Sequence, residues 1–174
     1  TLTVAEKYQF TDICLNLAVM LRDSAAIWNK RTTFMHHHRD VVKYMGALKC
    51  EYDSEFLLDH IRLEMGITSR KRPYLIDLHQ DAMVKIEGML DEHDTHLLRL
   101  NAFRAAVNYH DFIEDFSGVI DQCNRAIAYL DAHPHLSQRA RYGEFTLQKM
   151  SAALYLRRYR EAYELADSCI NSFT

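Results

Sequence analysis

Five glycines and two prolines in 174 residues constrain this chain more than any other feature. Gly and Pro are the strongest punctuators of backbone structure, so a chain this poor in them has room for long helices and little else. No stretch shows strict polar–apolar alternation with β-branched enrichment, and the expectation is therefore an all-α fold without a sheet.

The periodicity gives about eight helices. One is expected over residues 3–22, with Asp23 or Ser24 capping a short segment, 25–30. A second long helix is expected over 33–49 on a stripe of Phe34, Val41, Tyr44, Met45 and Leu48. Asp53-Ser54 would then cap a separate helix, 55–65, with Gly66 as its left-handed stop. Ile67 to Arg72 reads as a loop, and Pro73 suits the first turn of a helix over 73–91 carrying Leu75, Leu78, Ala82, Ile86, Met89 and Leu90. Asp94-Thr95 would cap helix 96–109. Asp111 and Glu114 resemble a capping box for helix 112–132, whose seam is Phe112, Phe116, Val119, Cys123, Ala126 and Leu130. His133-Pro134-His135 breaks that helix, Ser137 opens one reaching about Leu156, and the last runs 159–173 on Tyr159, Ala162, Tyr163, Ala166, Ile170 and Phe173. Short connections are expected to place consecutive helices antiparallel, side by side.

Charge and cysteine usage narrow the function classes. The net charge of -3 gives no support for nucleic-acid binding, which draws most of its affinity from phosphate neutralisation. No apolar run approaches the length of a membrane span, so neither nucleic acid nor membrane is expected as a partner. Cys14, Cys50, Cys123 and Cys169 form no CxxC pair and no disulfide-like framework. A reducing, cytoplasmic setting is the simplest expectation. The chain opens on Thr1 and closes directly after a helical segment, as expected of a fragment of a longer protein.

Two segments match each other at an offset of 47 residues: Ala105-Ala106-Val107-Asn108-Tyr109-His110-Asp111-Phe112-Ile113-Glu114 and Ala152-Ala153-Leu154-Tyr155-Leu156-Arg157-Arg158-Tyr159-Arg160-Glu161. Each reads as a helix with paired small residues, a polar turn, an aromatic and a new helix. With Ala162, Ala166 and Cys169 at the small packing positions of the last helix, this segment resembles a tetratricopeptide-type repeat. The resemblance covers residues 95–173, while residues 1–91 are less regular helices of the same single domain. It implies hairpins stacked as a right-handed superhelix whose first-of-pair helices line a groove. The polar stripes on those helices then supply the candidate binding residues: Asn101, Arg104 and Asn108 on one, and Arg141, Glu144, Gln148 and Tyr155 on the other, with Ser151 between them. The expected partner is a peptide or protein, with self-association or a regulatory role in a larger protein as a further expectation.

Other clusters compete with this. His110-Asp111 resembles the metal pair of HD-type phosphohydrolases, with His79 and Asp121 or Asp167 available for the remaining ligand roles; a polar turn ending in a capping Asp accounts for the pair without metal. His36-His37-His38 point about 100° apart on a helix, so they are not expected to converge on one ion; one is expected to face the core edge and two to face water. Glu92-His93-Asp94-Thr95-His96 is rich in ligand types but lacks the paired Glu-x-x-His of di-iron bundles. Arg157, Arg158 and Arg160, with Arg139 and Arg141, form a basic cluster, as does Ser69-Arg70-Lys71-Arg72; i, i+4 pairs with Glu161 and Glu164 account for the first. No catalytic residue, resident metal or cofactor is assigned from the sequence.

Overall fold

The computed structural model describes residues 1–67, 72–136 and 139–173. Eight α-helices occupy them, with no strand among the described residues: α1 (Leu2–Lys7), α2 (Thr11–Ile27), α3 (Arg31–Ile67), α4 (Arg72–Glu92), α5 (His96–Phe112), α6 (Phe116–Ala132), α7 (Arg139–Tyr155) and α8 (Tyr159–Phe173), with a short 3₁₀ turn at Pro134–Leu136. The all-α expectation holds. Each helix packs on its neighbour in sequence, and α3 also packs on α5.

Four of the turns are built alike. Gln9, Asn29, Glu114 and Arg157 have φ of 51°, 52°, 64° and 59°, each two residues past the end of α1, α2, α5 or α7. At each, this residue's N–H and that of its successor return to carbonyls three and five residues back. Glu114 N donates to Asp111 O at 3.0 Å and Asp115 N to His110 O at 2.9 Å; Arg157 N donates to Leu154 O at 3.0 Å and Arg158 N to Ala153 O at 2.9 Å. This is the Schellman closure, made here with four non-glycine residues.

These turns correct the repeat. α5 begins at His96 and α7 at Arg139, α6 at Phe116 and α8 at Tyr159, so the structural offset is 43 residues in both helices. The match at 47 aligned small residues that occupy different turns of their helices. His110 and Asp111 consequently lie in the last turn of α5, and the turn itself is Ile113-Glu114-Asp115. Asp115, instead of Asp111, caps α6, accepting from Gly118 N at 3.0 Å. Thr95 caps α5 as expected, through Leu98 N.

The first half departs furthest from expectation. Tyr8–Phe10 interrupts the expected helix 3–22, α2 runs unbroken through Asp23 and Ser24 to Ile27, and α3 is one helix of 37 residues, about 55 Å long at 1.5 Å per residue. Its buried positions are Val41, Tyr44, Ala47, Glu51, Ser54, Leu58 and Ile61, a single seam of three- and four-residue steps. The apolar pattern stops at Glu51 and Ser54 only because the buried seam there is polar. Ser54 is not a cap: its hydroxyl donates to Glu51 O at 2.7 Å. Gly66 lies inside the helix. The expected loop and basic cluster at Thr68–Lys71, and the start assigned to Ser137, lie outside the described residues.

Three apolar clusters hold the helices together. The largest joins α5 to α8 around Leu100, Val119, Cys123, Leu130, Phe145 and Ala153. A second packs α1 and α2 on the first part of α3 through Ala5, Cys14, Ala18, Val41 and Tyr44. A third sets Leu58 of α3 against Ile86, Leu98 and Ala105. The α6 seam is buried from Val119 to Leu130, but Phe112 ends α5 and stacks on His79. On α8 only part of the expected seam is buried: Ala162 is covered while Tyr159 and Tyr163 are exposed.

Candidate functional site

A chain of polar contacts runs across three helices on one side of the molecule. From α5, Arg104 Nε and Nη2 donate to the two carboxylate oxygens of Glu144 on α7, at 2.9 and 2.8 Å. Arg104 Nη1 donates to Asn101 Oδ1 at 2.9 Å, and Asn101 Nδ2 donates to Ser54 Oγ of α3 at 2.8 Å. Thr11 on α2 donates to buried Glu51 at 2.6 Å, one helical turn from Ser54. A two-point Arg–carboxylate contact fixes direction as well as distance. The network therefore sets how α7, α5 and α3 lie side by side.

Above this network is an open pocket of 550 Å³ lined by Glu55, Leu58, Asp59, Ile61, Arg62 and Met65 of α3, Asn101, Arg104, Asn108 and Asp111 of α5, and Glu144 and Gln148 of α7. Five of the seven residues expected to bind therefore border one cavity. Asn101 is a floor residue, fully buried with both ends of its amide engaged. Arg104 and Glu144 are committed to each other. Asn108 and Gln148 make no side-chain hydrogen bond among the described residues and retain their donors and acceptors.

Arg141 and Tyr155 are not brought into the pocket. Burial, and next the charge of Arg104, hold the Arg141 guanidinium below its ordinary pKa, against the opposing pull of Glu144. Tyr155 stacks on Phe116 with ring centroids 4.4 Å apart and closes the α6–α7 seam.

The α3 wall was missed. Splitting α3 at Asp53-Ser54 put Glu55, Asp59 and Arg62 on a short helix with no place in the repeat. Their four- and three-residue spacing, continuing the phase of Glu51, was the available signal. Electrostatically the pocket is acidic. Asp59 pairs with Arg62 at 2.7 Å and Glu144 with Arg104, which leaves Glu55 and Asp111 without an ion-pair partner among the described residues.

The metal-type clusters resolve differently. His110 Nδ1 lies 2.9 Å from Asp115 Oδ2. A Cβ on Gly118 would fall 2.3 Å from that nitrogen, so the bare glycine admits the pair. The Asp115 carboxyl is held below its ordinary pKa by Gly118 N–H first, then by His110. His79 is buried, with neither ring nitrogen hydrogen-bonded, and stacks on Phe112. Among the described residues, groups of three ligand atoms within 4.8 Å form at His36, His37 and Asp40 and at Cys50, Glu92 and His93; neither includes His79, His110 or Asp111. His37 is half-buried while His36 and His38 are exposed, as expected, but His36 and His37 converge, both on Asp40.

A further cluster joins His96, His133 and His135. His96 is buried, its Nδ1 2.5 Å from the Tyr129 hydroxyl, and its ring lies 4.8 and 5.0 Å from the other two imidazoles. Burial first, then the two histidines, push its pKa down to about 4. Of the expected basic cluster, Arg160 pairs with Glu164 at 2.9 Å and Arg158 with Glu161 at 3.6 Å. Among the described residues, no helix is long and apolar enough to cross a membrane. No family model, curated protein or solved structure matches this chain.

Proposed function

We propose that the chain is a helical-repeat interaction module that binds a peptide or an extended segment of a partner protein along the α3–α5–α7 face. On this reading α3–α4, α5–α6 and α7–α8 are successive hairpins in a tetratricopeptide-like arrangement, working in a reducing, cytoplasmic environment. One observation carries the reading: amides at Asn108 and Gln148 and carboxylates at Glu55 and Asp111, none of them paired among the described residues, share a single open cavity with apolar Leu58, Ile61 and Met65. Met65 is the exposed apolar residue, with buried Leu58 and Ile61 behind it; an apolar contact beside convergent polar groups is the usual make-up of a peptide-recognition groove.

The unpaired acids specify the ligand further: a segment with Lys or Arg beside an apolar anchor. Selection from a displayed random-peptide library against the full chain tests this. The expected outcome is enrichment of basic, apolar-anchored peptides whose binding falls at least tenfold in a Glu55→Lys, Asp111→Lys double variant. Enrichment of peptides indifferent to that change, or no enrichment, would count against the groove.

A further inference from the structure

We propose that Cys50, Glu92 and His93 form a zinc site that ties α3 to the end of α4. The three donors come from two helices: Cys50 lies midway along α3, Glu92 is the last residue of α4 and His93 follows it. One ligand atom from each lies within 4.8 Å of the others. None of the three side chains makes a hydrogen bond among the described residues.

The backbone around the cluster is fitted to it. Gly46 precedes Cys50 by one helical turn, and a Cβ there would stand 2.8 Å from His93 Nε2. The imidazole thus occupies space on α3 that any other residue would fill. Just beyond, the chain is fixed on both sides: His93 N donates to Met89 O at 2.8 Å and Thr95 N to His93 O at 2.9 Å. The His93 ring is consequently presented to α3 by a short, hydrogen-bonded corner instead of a free loop.

The donor set selects the metal. A thiolate, an imidazole and a carboxylate suit borderline-soft Zn²⁺, and Co²⁺ as its spectroscopic substitute; Mg²⁺ and Ca²⁺ prefer oxygen ligands throughout. Binding forms a sulfur–metal bond and releases the Cys50 thiol proton to solvent. Glu92 and His93 also line a 330 Å³ pocket with Glu6, Lys43 and Tyr44. With three protein ligands, a fourth coordination position would be left for water or an exogenous anion. Cys50 is the residue that sequence spacing could not supply, because it lies 42 residues from Glu92.

The test uses the full chain without a tag, stripped by chelator and titrated with Zn²⁺ and Co²⁺. The expected results are one tightly held Zn²⁺ per chain, a Zn²⁺-dependent rise in Tm, and a thiolate-to-cobalt charge-transfer band that Cys50→Ser abolishes. Glu92→Gln, at an exposed helix end, should raise the Kd at least tenfold. Gly46→Ala should do the same by displacing His93, without lowering the Tm of the metal-free protein, since Ala is the better helix former. Cys169→Ser and Asp40→Asn should change nothing. Retention of no zinc, a cobalt spectrum without the thiolate band, or binding insensitive to both Cys50→Ser and Glu92→Gln would overturn the proposal.

Discussion

The two halves of this chain use the same turn but bury their helices differently. From α5 to α8 the helices are short and share one large apolar cluster that draws on all four. From α1 to α4 the apolar contacts divide into two smaller clusters along the length of α3, and the α3 seam is polar in the middle. Of the described large apolar side chains left exposed, seventeen precede residue 95 and six follow it. The contrast shows what each half contributes. The second half shares one continuous apolar cluster, tied across by Arg104–Glu144 and His96–Tyr129, whereas the first depends on α3 and on hydrogen bonds at Glu51 and Ser54. The groove lies where they meet, with one wall from α3 and two from α5 and α7.

The contrast can be broken most forcefully at its apolar end. Phe145 is 1 % exposed in the large cluster, and Phe145→Ala should cost about 3–5 kcal/mol in urea unfolding. Val41→Ala in the α1–α3 cluster should cost no more than about 2 kcal/mol. Equal losses would remove the distinction between the halves.

A titration in the second half comes next in size. His96 is held neutral, with its pKa lowered from 6.5 to about 4. Unfolding frees it to take up a proton at the higher value, so the folded state loses ground as pH falls from about 6.5 towards 4 and the loss levels off below that. The shift corresponds to about 3 kcal/mol at its fullest. Urea midpoints between pH 7 and 4.5 should fall, and His96→Phe should flatten the profile; an unchanged slope in that variant would assign the pH response elsewhere.

Asn101 sharpens the comparison because it joins the halves. Asn101→Ala removes the donor to Ser54 Oγ, whose own proton still goes to Glu51 O, and the acceptor of one Arg104 N–H; the cost should be about 1–3 kcal/mol, and hydrogen exchange should quicken in α3 more than in α6. The smallest effect concerns the shared turn. Glu114→Gly and Arg157→Gly relieve a left-handed residue and should each stabilise by about 0.5–1 kcal/mol, whereas Asn29→Gly should do little, since Asn tolerates that region. Matched chemical denaturation of the three variants checks this.

Helix content, the Thr95 cap, the α6 seam and the break at Pro134 were all legible, because each rests on local pattern. The length of α3 was not, because buried Glu51 and Ser54 look like a surface break until Thr11 and Asn101, distant in sequence, arrive to satisfy them. The 47-residue match missed the 43-residue spacing of the helix starts, because Ala105-Ala106 and Ala152-Ala153 are small for different packing reasons. In the site, polar stripes on α5 and α7 led to Asn108 and Gln148. They could not distinguish a free amide from Asn101, whose burial is a tertiary fact, nor separate Tyr155, which stacks on Phe116 outside the pocket.

The central claim is that the α3–α5–α7 face is the binding surface. Backbone amide chemical shifts of the labelled chain, followed while a selected basic peptide is added, test it most directly. The account predicts shifts concentrated at Glu55–Met65, Asn101–Asp111 and Glu144–Gln148, with α2 and α8 unmoved. Shifts centred on the exposed apolar residues of α2, such as Met20 and Trp28, with the groove silent, would contradict it.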